Sequence, residues 1–225
     1  MIFNEDGIAY PDYQKTTARI FRDPGRHDLT QWNHIKKIIK SSRVCLDFGG
    51  HVGTSAMRFS KVFDRVISFE PVPDLFECLQ HNTKELENIE IHNLAIGDEC
   101  KDVTIYINPE NPGSNVVESK ATKDIIDSRW KNELRQNFVE QKPIQVKSVS
   151  IDSLELHTVD FIKMDTEGYN IEPVIGMKAT LERCSPVIMI ERGDPYDKKP
   201  ETILKSWGYR RAKTIAIDDI FVRKE

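Results

Sequence analysis

Val44-Cys45-Leu46-Asp47-Phe48-Gly49-Gly50-His51-Val52-Gly53 reads as a buried strand that ends in an acid, breaks into a glycine-rich turn and opens a helix. Arg65-Val66-Ile67-Ser68-Phe69-Glu70 follows as a second strand with an acid at its end. Two such segments in a row form the nucleotide-binding half of a doubly wound α/β fold, where a ligand sits at the carboxyl ends of adjacent strands. Glu70 comes about 20 residues after the first glycine, the offset expected of an acid that grips ribose hydroxyls.

The turn itself separates two kinds of nucleotide ligand. A dinucleotide turn reads G-x-G-x-x-G/A and seats a pyrophosphate on helix amides. Here the pattern is D-x-G-x-x-x-G, from Asp47 to Gly53, and Gly50, His51 and Val52 do not restore the fingerprint. An acid at the mouth of the turn would repel a pyrophosphate and favour an ammonium or sulfonium. S-adenosylmethionine carries both cations, and its carboxylate suits the helix start near Thr54 and Ser55. That cofactor is the ligand expected; a plain βα turn with a capping acid is the structural alternative.

A chain of 225 residues is long enough for one α/β domain with a full core. A hydrophobic content of 39% and a charged content of 30% are ordinary for a globular protein. The net charge of −4 argues against broad binding to nucleic acid or to an anionic membrane surface. No apolar run is long enough to span a bilayer, and the first residues have neither the basic nor the apolar region of a signal peptide, so a cytoplasmic address is the default. Cys45, Cys78, Cys100 and Cys184 are widely spaced without a C-x-x-C pair, the pattern of free thiols rather than of a zinc site.

The rest of the chain is expected to form a single domain over residues 1–225. Residues 1–40 read as a leader ending in a helix, with Trp32, Ile35, Ile38 and Ile39 at helical spacing. Pro73 opens an amphipathic helix after Glu70. A third strand is expected over 89–96 and an alternating segment over 103–107. Trp130, Leu134 and Phe138 recur at helical spacing and predict an inserted helix within 119–142, near the acceptor. Strands are then expected over 144–149, 159–165 and 187–191, with one helix around 171–181. Pro200 and Gly208 bracket a further helix, and a closing hairpin is expected from 209–217 and 220–223, turning at Asp218-Asp219.

Four segments together resemble the FkbM-type S-adenosylmethionine-dependent methyltransferases of class I. They are Leu46-Asp47-Phe48-Gly49-Gly50-His51-Val52-Gly53; Phe69-Glu70-Pro71-Val72-Pro73 with the later Asn82; Asn93-Leu94-Ala95-Ile96-Gly97-Asp98; and Ser150-Ile151-Asp152-Ser153-Leu154 running on to Ile162-Lys163-Met164-Asp165-Thr166-Glu167-Gly168. Pro186 to Glu191 also fits. The family usually carries Asn where His51 stands and often Ala at Gly50. The resemblance implies a Rossmann-like fold: a seven-stranded mixed sheet, helices on both faces and an antiparallel terminal hairpin.

It also implies roles. Asp47, Gly49 and Gly53 would line the methionine end of S-adenosylmethionine, with Gly50 and Pro71 in the same site. Glu70 would hold the ribose, and Asn93 and Ala95 would lie by the adenine. Asp165, Glu167 and Glu191, at two strand ends on one rim of the sheet, are the catalytic candidates, with Lys163 placed by strand alternation to tune Asp165. The activity implied is methyl transfer to a hydroxyl of a small molecule or sugar unit. The same three acids could instead hold a divalent cation, but the spacing does not demand it and no metal is assigned. Two alternatives remain at this stage: an RNA ribose methyltransferase, and a module that binds S-adenosylmethionine without catalysis.

Overall fold

The computed structural model describes residues 1–12, 29–107, 115–119, 142–192 and 198–224. Its centre is a seven-stranded sheet. In chain order these strands are β3 (Val44–Phe48), β4 (Arg65–Phe69), β5 (Ile89–His92), β10 (Phe161–Met164), β11 (Val187–Glu191), β12 (Tyr209–Ile215) and β13 (Asp218–Arg223). Their spatial order is β12-β13-β11-β10-β3-β4-β5. From β11 to β5 neighbours run parallel, while β13 is antiparallel to both β11 and β12. The expected mixed sheet with its antiparallel terminal hairpin is therefore present.

Parallel strands buried on both faces need apolar side chains on both, and these have them. Cys45, Val66, Phe161 and Met189 pack with α1 (Leu29–Ile38) and α2 (Thr54–Phe59), where Trp32, Phe59, Phe63 and Phe161 form an aromatic cluster. On the other face Leu46, Phe48, Ile162, Met164, Ile188 and Ile190 meet Val174 of α4 (Ile171–Ile175), Leu181 of α5 (Lys178–Cys184) and Leu204 of α6 (Lys199–Ser206). The single helix expected around 171–181 is thus two. Gly176 breaks it, and a Cβ there would lie 1.9 Å from the Gly97 carbonyl oxygen.

Three further regions differ from expectation. The leader opens with a hairpin, β1 (Ile2–Phe3) against β2 (Ala9–Tyr10), before its helix. Asn82 of α3 (Pro73–Thr83) holds that hairpin: its side chain accepts from the Ala9 amide at 2.8 Å and donates to the carbonyls of Ala9 and Val52. The strand expected over 89–96 splits at Asn93, whose amide donates to the Glu70 and Pro71 carbonyls. Beyond it β6 (Ala95–Ile96) joins a second sheet, order β6-β9-β7-β8, with β7 (Asp102–Ile107), β8 (Val116–Val117) and β9 (Lys142–Val149). Finally, Asp218 and Asp219 lie within β13, and the hairpin turns at Ala216-Ile217. They fit a strand because both find partners: Gln31 donates to Asp218, and Arg211 and Thr214 to Asp219. The helix expected within 119–142 falls almost wholly on 120–141, outside the described residues.

Candidate active site

A cavity of about 530 Å³ opens at the carboxyl ends of β3, β4, β10 and β11. This is where the winding of the sheet reverses, between β3 and β10, and where open α/β sheets bind ligands. The second sheet walls it with Ile105 and Val117, and the tip of the terminal hairpin closes another side with Ala216, Ile217 and Asp218.

On the β3–β4 side the backbone fixes the geometry. The amides of Gly49 and Gly50 both donate to the Phe69 carbonyl, at 3.0 and 2.9 Å. Gly49 has φ +78, and a Cβ on it would stand 1.9 Å from the Asp165 carbonyl oxygen. Only glycine permits that conformation and that approach at once. The close approach is thus made to the neighbouring strand end within the protein. Glu70, 4% exposed, accepts from the His51 amide at 2.8 Å on one oxygen and from the Val72 amide at 2.9 Å on the other. Burial pushes its carboxyl up, from the ordinary 4.5 to about 7; these two amides act against the shift, and the Asp47 and Asp165 charges add to it. Each oxygen keeps a further acceptor position for a ligand. Val72, Leu75, Leu94 and Ile96 supply apolar wall beside it.

On the β10–β11 side, side chains set the geometry. Lys163, 4% exposed, donates to Asp165 Oδ2 at 3.0 Å. Asp165, Glu167 and Glu191 offer oxygens that all lie within 4.8 Å of one another. Two half-buried carboxyls this close cannot both ionise freely. Burial pushes Glu191 strongly up, and its hydrogen bond with Asp165 and the charges of Asp165 and Glu167 add to that. For Asp165 burial also acts upward, but the Lys163 ammonium and the hydrogen bond from Glu191 outweigh it and hold the group well below the usual range. The two carboxyls are thus pushed in opposite directions, Asp165 down and Glu191 up. Thr166 donates to Asn170, which in turn donates to the Glu191 carbonyl, tying the two strand ends together. Glu167 and Gly168 both have positive φ, so the chain reverses tightly beneath these acids.

The family model described as the methyltransferase FkbM domain matches residues 47–211. The chain belongs to the FkbM methyltransferase family. S-adenosylmethionine is the cofactor of this family and fold. Among solved structures, the methyltransferase FkbM from Methylobacillus flagellatus KT aligns at 16% identity with a TM-score of 0.52, which shows a shared fold. That alignment covers 95% of this chain and 55% of the other, so the chain spans little more than half the length of that relative. An S-adenosylmethionine-dependent methyltransferase from Aquifex aeolicus aligns at 13% identity and TM-score 0.45, over 91% of this chain and 95% of that one. Fibrillarin from Aeropyrum pernix, in complex with natively bound S-adenosyl-L-methionine, aligns at 11% and 0.45, over 87% and 73%. No curated protein sequence matches the chain.

The cavity of this FkbM-family chain fits its cofactor. The volume falls within the range of small-molecule sites. Glu70 keeps two acceptor positions beyond its two amide partners, and an apolar wall stands beside it. Gly49, Gly50, Glu70, Pro71, Ala95, Asp165, Glu167 and Glu191 all line the cavity. Asp47, Gly53 and Asn93 lie outside its lining. Asp47 is fully buried under the turn, bonded by Ser68 and 3.8 Å from the Lys163 ammonium, so it does not stand at the mouth. Gly53, at φ +94, opens α2 against Leu79 and Thr83. Asn93 fastens the bend after β5.

Other contributors were not anticipated. Gln31 and Asp218 form a buried hydrogen bond of 2.8 Å at the cavity wall, and Tyr169 lines it from the turn after β10. Gln31 sits on the apolar face of α1, and a polar residue on such a face was the available signal. Asp152, within the quoted motifs, serves the fold instead: it accepts from the Ala179 and Thr180 amides and caps α5. Asp165, Glu167 and Glu191 are the oxygen set a divalent cation would use, but an ammonium already faces one of them, and no metal is assigned.

Proposed function

We propose that this chain transfers a methyl group from S-adenosylmethionine to a hydroxyl oxygen of a small molecule or a sugar unit. The observation that carries the reading is the Asp165–Glu191 pair, two carboxyl groups side by side on the cavity wall with the Lys163 ammonium on Asp165. Bound S-adenosylmethionine supplies a methyl group already activated for displacement by its sulfonium. Glu70 would accept from the ribose hydroxyls, and Gly49 and Gly50 would border the methionine end.

Asp165 would then meet the acceptor. Its carboxylate would accept a hydrogen bond from the hydroxyl, orient that oxygen toward the methyl carbon, and take the proton as the O–C bond forms and the methyl–sulfur bond breaks, the thioether leaving with its electron pair. A carboxylate held below the usual range is a weak base, but an alkylated hydroxyl is a strong acid, so a late proton transfer suffices. Orientation supplies most of the acceleration in this reading. Glu191 keeps the pair at one negative charge, and Gln31, Asp218 and Ile217 would border the acceptor. We further read the chain as one catalytic domain with a cytoplasmic address, which its four free thiols suit; among the described residues no helix is long and apolar enough to cross a membrane.

The test is transfer from methyl-labelled S-adenosylmethionine to panels of sugars, polyols and amines. A labelled methyl ether, formed by the intact chain and lost in Asp165→Asn, supports the reading. Label on nitrogen alone would replace it with an amine methyltransferase.

A further inference from the structure

Lys163, Asp47 and Ser68 stand at one register across three adjoining strands: Lys163 of β10 pairs with Asp47 of β3, and Asp47 with Ser68 of β4. Strand alternation puts their side chains on one face of the sheet, the face covered by α1 and α2. All three are buried. Ser68 Oγ donates to Asp47 Oδ2 at 2.9 Å, and Lys163 Nζ lies 3.8 Å from Asp47 Oδ1 and 3.0 Å from Asp165 Oδ2. Of the row, only Lys163 reaches the cavity. The ammonium is thus held between a carboxylate in the wall and one sealed beneath it.

An ammonium this deep is costly unless it is paired, and breaking a buried pair is strongly destabilising. A wall carboxylate that exchanges a proton with an acceptor cannot serve as that partner throughout. We propose that Asp47 is a positioning residue, the standing counter-ion of Lys163: it keeps the ammonium beside Asp165 while Asp165 gains and loses a proton, and it makes no contact with the cofactor. The proton exchange rests on the hydroxyl-methylation reading above; the Asp47–Lys163 pairing and the separation of Asp47 from the cofactor do not.

The surroundings make such a partner necessary. Lys163 and Asp165 are faced by Asp47 from β3, His51 from the first turn, Glu70 after β4, Glu167 from their own turn and Glu191 from β11, with Cys45 farther back on β3. Among the described residues lining the cavity, Lys163 is the only lysine or arginine. Its charge therefore balances an acidic wall, and among the described residues Asp47 is the one acid near it that lies outside the cavity lining and is fully buried.

The experiment uses the full chain labelled with nitrogen-15 in its lysine side chains, the Lys163 signal being assigned by its loss in Lys163→Met. In Asp47→Asn, Lys163 is expected to titrate about one pH unit lower than in the parent chain. Calorimetric affinity for S-adenosylmethionine is expected to stay within about threefold of the parent value. Ser68→Ala, which removes the hydroxyl that orients Asp47, should move Lys163 the same way by less, and serves if Asp47→Asn does not fold. A folded Asp47→Asn that loses more than about tenfold in cofactor affinity makes Asp47 a cofactor contact and overturns the proposal. A Lys163 titration unmoved in both variants overturns it as well. If both expected results hold but no hydroxylated acceptor is methylated, the reaction assigned above fails and the pairing stands.

Discussion

The half of the cavity built by β3 and β4 and the half built by β10, β11 and the terminal hairpin solve the same problem with different materials. In the first, backbone amides and carbonyls hold everything in place: two glycine amides on the Phe69 carbonyl, and two amides on the Glu70 carboxylate. In the second, side chains hold one another, through Lys163 on Asp165, Gln31 on Asp218 and Asn170 on the Glu191 carbonyl. A backbone cradle suits a ligand shared by a whole family. A cradle of side chains can be redrawn residue by residue, which suits a partner that varies. The halves meet by main chain along the β3–β10 ladder, at whose end the Asp165 amide donates to the Phe48 carbonyl at 3.0 Å and Gly49 abuts the Asp165 carbonyl.

That junction is the most direct place to break the comparison. Gly49→Ala would force a Cβ to 1.9 Å from the Asp165 carbonyl oxygen at a positive φ. The expected loss is about 3 kcal/mol or more of stability, read by denaturant unfolding, with both halves disturbed. Asp165→Asn should separate them: turnover falls roughly a hundredfold or more while calorimetric cofactor affinity changes little. Glu70→Ala should do the reverse, weakening S-adenosylmethionine about a hundredfold through two lost charged hydrogen bonds.

A smaller effect follows from acidity. Because the Glu70 carboxyl is pushed up to about 7, cofactor binding that needs its ionised form weakens as pH falls through 7, by about tenfold per unit. The cofactor-free chain shows the opposite slope in this contribution. Its native state holds a proton that the unfolded chain releases near 4.5, so stability from this group falls as pH rises from 4.5 to 7. Both trends should vanish in Glu70→Ala, measured by calorimetry and thermal unfolding across that window. The smallest change, Asp152→Ala, uncaps α5 far from the cavity; it should cost about 1 kcal/mol and leave binding untouched.

The difference between the halves also explains what was legible in the sequence. That Gly49, Gly50 and Glu70 line the cavity is legible because a backbone cradle needs special residues at fixed offsets along the chain. The strand-end acids Asp165 and Glu191 were found because strands announce their ends. Gln31 and Asp218 were missed because they are far apart in sequence and meet only when α1 packs beside the terminal hairpin. Asp47 was read by its charge and its nearness to the turn, but strand alternation turns its carboxylate into the sheet, where Lys163 and Ser68 meet it. Strands over 103–107 and 144–149 are legible in the sequence, but the second sheet they form is not: β6 and β8 have two residues each, and the bend at Asn93 depends on two carbonyls beyond β4. In each case the missing information was a contact between separate elements of the fold, which composition and spacing do not carry.

The central claim is that this cavity binds S-adenosylmethionine through the backbone-fixed half, with Glu70 as its anchor. Isothermal titration of the parent chain and of Glu70→Ala with S-adenosylmethionine tests it most directly. The account predicts micromolar binding by the parent chain and loss of roughly a hundredfold in the variant. Absence of binding by the folded parent chain, or equal affinity in both proteins, would contradict it.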